Sequence, residues 1–269
     1  MAFDEAYFNI GRLDRLSYGD TFVHRLDPRV KVIAAMLFVL AVVSFSKYEV
    51  LGLVPFLLFP VALVTLGDLP LLFLVKKILL VAPFAVFVGV FNPILDRQTA
   101  LVLFGVPLAA GWLSFISILL KFLLTISAAL ILIATTSFPG VCQALRRLGA
   151  PALFVSQLLF LYRYLFVLLE ETMRIVRARD LRSFGKRGME AKVAARIIGG
   201  LFLRTVERAE RIYRAMLSRG FTGEIPVLRR AGGRRADALF LLAVVLYLAA
   251  FRFFPVMEWT GRLVQGVMR

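Results

Sequence analysis

The chain has 269 residues, of which 60% are hydrophobic, and a mean hydropathy of +0.84. Soluble globular domains sit at about 45–50% apolar residues, so this composition excludes a soluble enzyme, a disordered tail and a fibrous protein, and specifies an integral membrane protein. One Cys excludes an internal disulfide, one Cys with one His excludes a Cys/His metal cluster, and a net charge of +16 fits large cytoplasmic loops that retain Lys and Arg.

Residues 1–31 contain no apolar signal-type run, and the N-terminus is expected in the cytoplasm. Val32–Phe45 is a 14-residue apolar stretch, lengthened if its helix begins near Asp27-Pro28. Pro28 suits a first helical turn, where its missing N–H costs nothing. Val50–Leu66 follows, then Ile78–Phe91 between Lys76-Lys77 and Asn92-Pro93, with Pro83 expected to kink it. Leu113–Thr135 is the strongest span, at 23 residues, and holds Lys121, an intramembrane charge that either faces the bundle or pairs with a carboxylate. Ala152–Leu169 is long and apolar but contains Arg163. Leu239–Phe254 closes the series, flanked by Arg234-Arg235 and Arg252.

Charge decides which stretches cross. Residues 170–235 hold 17 of the 33 Lys and Arg but 7 of the 17 Asp and Glu, a net +10. Cytoplasmic segments carry the excess of Lys and Arg. Four spans up to Thr135 return the chain to the cytoplasm, with Arg146-Arg147 inside. A crossing by Ala152–Leu169 would put the +10 block outside, so that stretch is expected to be a non-spanning helix buried against other protein. The expected fold is an all-α polytopic membrane protein of about five transmembrane helices, six being the alternative, plus long cytoplasmic amphipathic coupling helices. The division is residues 1–136 (four spans), 137–235 (cytoplasmic helices) and 236–269 (last span and tail, C-terminus outside).

Within the basic block, Leu165, Leu168, Thr172 and Ile175 recur at helical spacing, as do Ile198, Phe202, Val206, Ala209, Ile212 and Met216. The first helix is expected to end near Ser183-Phe184-Gly185 and the second at Gly220. The two ends are alike. Residues 174–184 and 211–221 share six of eleven positions, including the Arg-Ile pair, the Arg-Ala pair, the later Arg and the Phe. Arg182 and Arg219 are therefore equivalent, 37 residues apart. Two readings stand: amphipathic helices with solvated Arg faces, or matched docking tips that each present a guanidinium fork to a partner's carboxylate. Two equivalent tips suit a partner with two equivalent grooves.

These residues resemble the transmembrane T component of energy-coupling factor (ECF) transporters, in the cobalt/nickel, CbiQ-like branch. The family's two short Ala-Arg-Gly-type motifs align with Leu181-Arg182-Ser183 and Ser218-Arg219-Gly220. Further similar segments are Leu13–Asp20, His24–Arg29, Phe91-Asn92-Pro93, Leu145–Pro151 and Gly220–Gly223. The resemblance implies a non-enzymatic scaffold in the cell (inner) membrane that couples two ATP-binding-cassette ATPases to a separate substrate-binding membrane subunit for cobalt or nickel. It implies that Leu181, Arg182, Ser183, Ser218, Arg219 and Gly220 dock the ATPases. It also implies that the Ala152–Leu169 helix, with Tyr162, Arg163 and Tyr164, meets the substrate-binding subunit.

The residues themselves carry no phosphate loop, Gly185-Lys186-Arg187 being the nearest approach, so ATP hydrolysis is expected on another chain. No cofactor or nucleic-acid partner is expected; the lipid bilayer is. A translocation-path permease of another transporter predicts polar residues on several spans, where Lys121 is the chief one. A membrane-bound lipid-modifying enzyme needs clustered Asp, Glu or His at one face. Basic residues without an interleaved aromatic platform disfavour nucleic-acid binding. His24 reads as a loop or capping residue, Cys142 as a small apolar one, and the Asp residues near the N-terminus as an ion-pair network.

Overall fold

The computed structural model describes residues 16–47, 49–95, 99–103, 106–182, 191–223 and 235–253. The helices are α1 (Phe22–Arg25), α2 (Pro28–Val43), α3 (Leu58–Leu66), α4 (Leu71–Leu95), α5 (Ala110–Thr135), α6 (Phe138–Arg147), α7 (Ala152–Arg182), α8 (Ala191–Leu217) and α9 (Arg235–Phe253). The architecture is that of an all-α polytopic membrane protein. Among the described residues three helices are long and apolar enough to cross a membrane, through Leu71–Pro93, Gly111–Thr135 and Ala152–Arg182. The chain divides into two compact units; their described parts are 16–137 with 235–253, and 138–182 with 191–223.

In the first unit, α2 begins where the sequence places it. Asp27 caps the helix by accepting the Arg29 N–H at 2.9 Å, and Pro28 takes the first turn. The run from Leu51 to Leu57 forms two tight 3₁₀ turns, broken at Pro55, before α3. Helix α4 departs from its expected bounds of Ile78–Phe91. It runs through Lys76-Lys77 and Asn92-Pro93, because Lys is a good helix former and the Lys77 ammonium lies over the Phe73 ring one turn back, at 5.6 Å. An antiparallel β-ribbon, β1 (Thr99–Leu103) with β2 (Val106–Ala109), precedes α5, and Leu103 faces Val106. The sequence reading had no strand there.

The core of this unit is aromatic. Phe38 stacks on Phe59 at 4.4 Å, and Phe45 meets Phe56 edge-on at 5.2 Å. Leu53, Leu124, Ala128, Val244 and Leu248 fill the gaps, so α2, α3, α5 and α9 share one cluster. In lipid the hydrophobic effect does not favour helix association, so close packing and interhelical hydrogen bonds carry it. Polar ties pin α2 at both ends. The Lys31 ammonium donates to the Thr135 carbonyl at 2.8 Å and the His24 carbonyl at 3.2 Å, while Asp237 accepts the Asp27 N–H at 2.9 Å. At the other end Lys121 donates to the Phe45 carbonyl at 2.6 Å, and Arg252 donates to the Ser44 carbonyl at 3.2 Å.

Lys121 thus faces the bundle. It donates to the carbonyls of Phe45 and Ser46, in the segment that follows α2. Lys121→Met keeps the aliphatic stem and strands the Phe45 carbonyl. It is expected to lower stability by about 1–3 kcal/mol, read as a fall in thermal midpoint of the detergent-solubilised chain. His24 closes a local loop: Nε2 donates to the Leu16 carbonyl at 2.9 Å, which leaves Nδ1 to accept the Thr21 hydroxyl at 2.7 Å. Of the N-terminal acids, Asp20 is gripped by Arg25 through two 2.9 Å hydrogen bonds, and that guanidinium holds its carboxyl below the usual carboxylate range. Asp14 lies outside the described residues.

The second unit holds α6, α7 and α8. α7 is one helix of 31 residues that joins the apolar stretch Ala152–Leu169 to the first basic segment, as the helical spacing from Leu165 to Ile175 predicts. No Pro or Gly interrupts residues 152–182, so nothing in the backbone marks the change from apolar to basic composition. Phe138 on α6 stacks on Tyr162 of α7 at 4.6 Å. Cys142 is buried in α6, and burial pushes its thiol pKa up, as its reading as a small apolar residue requires.

Candidate functional site

The two basic helices present their tips to solvent. Arg182 ends α7; both it and Leu181 are exposed, Leu181 by 86%. Ser183 lies outside the described residues. At the end of α8 the Phe221 N–H reaches back to the Met216 carbonyl and the Gly220 N–H to the Leu217 carbonyl, each at 3.0 Å. This is the Schellman arrangement, which needs a left-handed residue just past the cap. Gly220 supplies it at φ +78°, with open space around its Cα, so backbone conformation rather than crowding selects glycine there. Arg219 therefore sits at the cap position, exposed, where a cation faces the negative end of the helix dipole. The Ser218 hydroxyl donates to the Arg214 carbonyl at 3.0 Å and closes the last turn.

Neither Arg182 nor Arg219 makes an ion pair with a described residue, whereas their neighbours do. Arg179 meets Asp180 at 2.9 Å and Arg214 meets Glu210 at 3.4 Å. At the end of α7 an exposed guanidinium stands beside an exposed Leu, and a guanidinium fork of this kind can bind a carboxylate bidentately.

Between α7 and α8 lies an open groove of about 800 Å³. Phe160, Tyr164, Tyr213, Met216 and Phe221 line it, and the Phe221 ring sits 6.1 Å from that of Phe160. The Ser156 hydroxyl donates to the Gly223 carbonyl at 3.0 Å, which ties the segment after α8 to the start of α7. Further along, Glu171 of α7 meets Arg208 at 3.1 Å and Arg204 at 3.9 Å on α8.

Tyr162, Arg163 and Tyr164 do not converge. Successive helical residues point about 100° apart, so Tyr162 packs on α6, Tyr164 lines the groove and Arg163 is exposed. The stripe of α8 packed in the unit includes Ile212 and Met216, as expected, and upstream of them it lies one position from the expected one. Ile197, Leu201, Thr205, Arg208 and Ile212 are half-buried, while Ile198 and Phe202 are 66% and 65% exposed. The apolar arc of α8 is wider than a single stripe. One edge of it is covered, and Ile198, Phe202 and Val206 form an uncovered edge. Sequence reasoning missed Glu171 and Arg208 although the internal repeat, extended three residues upstream, pairs them as equivalent positions. No group of three or more His, Cys, Asp or Glu able to hold a metal occurs among the described residues.

Residues 19–228 match the model of a protein family described as CbiQ, cobalt transport protein. An uncharacterized protein of Methanocaldococcus jannaschii is 29% identical over 244 residues, covering 86% of this chain and 82% of that protein. The energy-coupling factor transporter transmembrane protein EcfT of Bacillus subtilis is 28% identical, over 76% of this chain and 82% of its own length. EcfT of Streptococcus thermophilus is also 28% identical, over 78% of this chain and 85% of its own.

Proposed function

The chain belongs to the CbiQ family of cobalt transport proteins, and we propose that it is the energy-coupling transmembrane scaffold of an ATP-driven ECF-type importer of cobalt or nickel. It transmits the conformational change of two ATPase subunits to a separate substrate-binding membrane subunit and performs no catalysis itself. The names of the Bacillus and Streptococcus relatives support the ECF assignment. The observation that carries the coupling role is the pair of exposed tips, Arg182 and Arg219, at equivalent ends of two long basic helices. Leu181, Ser183, Ser218 and Gly220 flank them as the docking surface, and Arg163 is the exposed α7 residue offered to the substrate-binding subunit. The basic helices are cytoplasmic, as is the N-terminus, because ATP is inside and because the +10 block stays on the cytoplasmic side.

The test is affinity purification of this chain from its native membrane and identification of what elutes with it. The expected result is a pair of ATPase subunits and a small membrane subunit. A chain that elutes alone in mild detergent, or with a soluble nucleic-acid complex, overturns the proposal.

A further inference from the structure

The geometry points to Glu171 and Arg208 as the pivot of a pseudo-two-fold crossing that sets the two docking tips at equal reach; this rests on reading Arg182 and Arg219 as those tips. The alignment that equates Arg182 with Arg219 equates Glu171 with Arg208 and Glu170 with Glu207. In the structure these equivalent positions meet: the Glu171 carboxylate and the Arg208 guanidinium are 3.1 Å apart. The helices run antiparallel past this point. As the α7 partner falls from Glu171 to Phe160 to Ser156, the α8 side rises from Arg208 to Phe221 to Gly223. Antiparallel helices of one repeat that meet at equivalent residues are related by a local two-fold axis through that meeting. At such an axis a residue faces its own counterpart. Two like charges would repel there, and the repeat has instead placed Glu on one helix and Arg on the other.

The consequence is equal arms. Arg182 lies eleven residues beyond Glu171 and Arg219 eleven beyond Arg208, about 16 Å of helix in each direction at roughly 1.5 Å per residue. The tips are thus offered in opposite directions about one axis, the arrangement that a symmetric pair of ATPases accepts. Packing alone holds the crossing weakly, because the open groove of about 800 Å³ separates the helices on one side of it. The ion pair is mostly shielded on the Glu171 side, whose side chain is 21% exposed, and Arg204 at 3.9 Å gives that carboxylate a second cation. Glu171 and Arg208 are positioning residues that act through the angle of the two helices.

Spin labels at Ala178→Cys and Ala215→Cys, equivalent exposed sites on the two arms, measure this angle in the full chain with Cys142→Ala. The unaltered pair is expected to give one narrow distance, roughly 20–30 Å from helix rise and interaxial spacing. Glu171→Gln, nearly isosteric, is expected to broaden that distribution, and Arg208→Gln to do the same from the other helix. Glu171→Arg is expected to broaden it most, and Glu171→Arg with Arg208→Glu to restore the single peak. In the assembled transporter, metal uptake per ATP hydrolysed is expected to fall about fivefold or more in Glu171→Gln, the lower end of ordinary coupling energies, and to recover in the swapped pair. A Glu171→Gln distribution identical to that of the unaltered pair, or a swapped pair no better than Glu171→Arg, overturns the pivot. Failure of the chain to associate with ATPases overturns the docking reading instead, and the distances still decide the pivot.

Discussion

Arg182→Ala combined with Arg219→Ala is expected to release the ATPase subunits or uncouple them, abolishing metal uptake. Each tip offers a planar guanidinium at an exposed helix end. Removing one partner of a desolvated interface pair costs about 2–5 kcal/mol, a factor of roughly 30 to several thousand in affinity at about 1.4 kcal/mol per tenfold. One substitution leaves a complex held by the other tip. Both together remove the effective concentration that each linked site lends its neighbour, so the loss exceeds that of either single change. Lys rescues poorly because it keeps the charge but loses the fork. Arg179 and Arg214 already have carboxylate partners within the chain, Asp180 and Glu210, and their replacement by Ala is expected to matter less. The assay is ATPase co-purification with uptake for the two single variants and the double. A double variant that co-purifies and transports like the unaltered chain reduces these residues to a solvated basic face.

The second large effect is an all-or-none pattern of labelling. The five-span reading puts the basic helices inside and the C-terminus outside. A maleimide that cannot cross the membrane is expected to miss Ser183→Cys in intact cells and to label it fully after permeabilisation, while Gln265→Cys reacts from outside. Cys142 is buried and adds little background. The measurement bears on α7 in particular, because by length and composition its 31 residues meet the requirement for a crossing. Labelling of Ser183→Cys from outside shows that α7 crosses and overturns the cytoplasmic assignment of the tips.

Much of this arrangement was legible in the residues. Asp27-Pro28 announced the start of α2 because a carboxylate cap and a fixed φ act locally. Gly220 announced the end of α8 for the same reason, since a left-handed residue is needed there whatever packs nearby. The repeat of residues 174–184 in 211–221 gave both tips. What stayed hidden depends on distant partners. Lys121 finds its carbonyls 76 and 75 residues away, at Phe45 and Ser46. Upstream of Ile212 the stripe of α8 that packs lies one position from the expected one, because an apolar arc wider than its neighbour offers two registers and periodicity does not choose between them. The β-ribbon went unseen because Phe104-Gly105 is not one of the Asn-Gly, Asp-Gly or Gly-first pairs that announce a two-residue hairpin in a sequence. Helix α4 outran its charges because Lys76-Lys77, taken as a membrane boundary, is compatible with helix.

In the proposed role this chain carries energy between separate subunits and holds neither the substrate site nor the ATPase site. Stepwise reconstitution tests it most directly. The co-purified ATPases, the small membrane subunit and this chain are placed in liposomes together and with each omitted in turn, and ATP-dependent uptake of cobalt and nickel is followed. The account predicts uptake by the full set alone and, from this chain by itself, neither ATP hydrolysis nor metal accumulation. Uptake that persists without this chain, or ATP hydrolysis by the chain on its own, contradicts it.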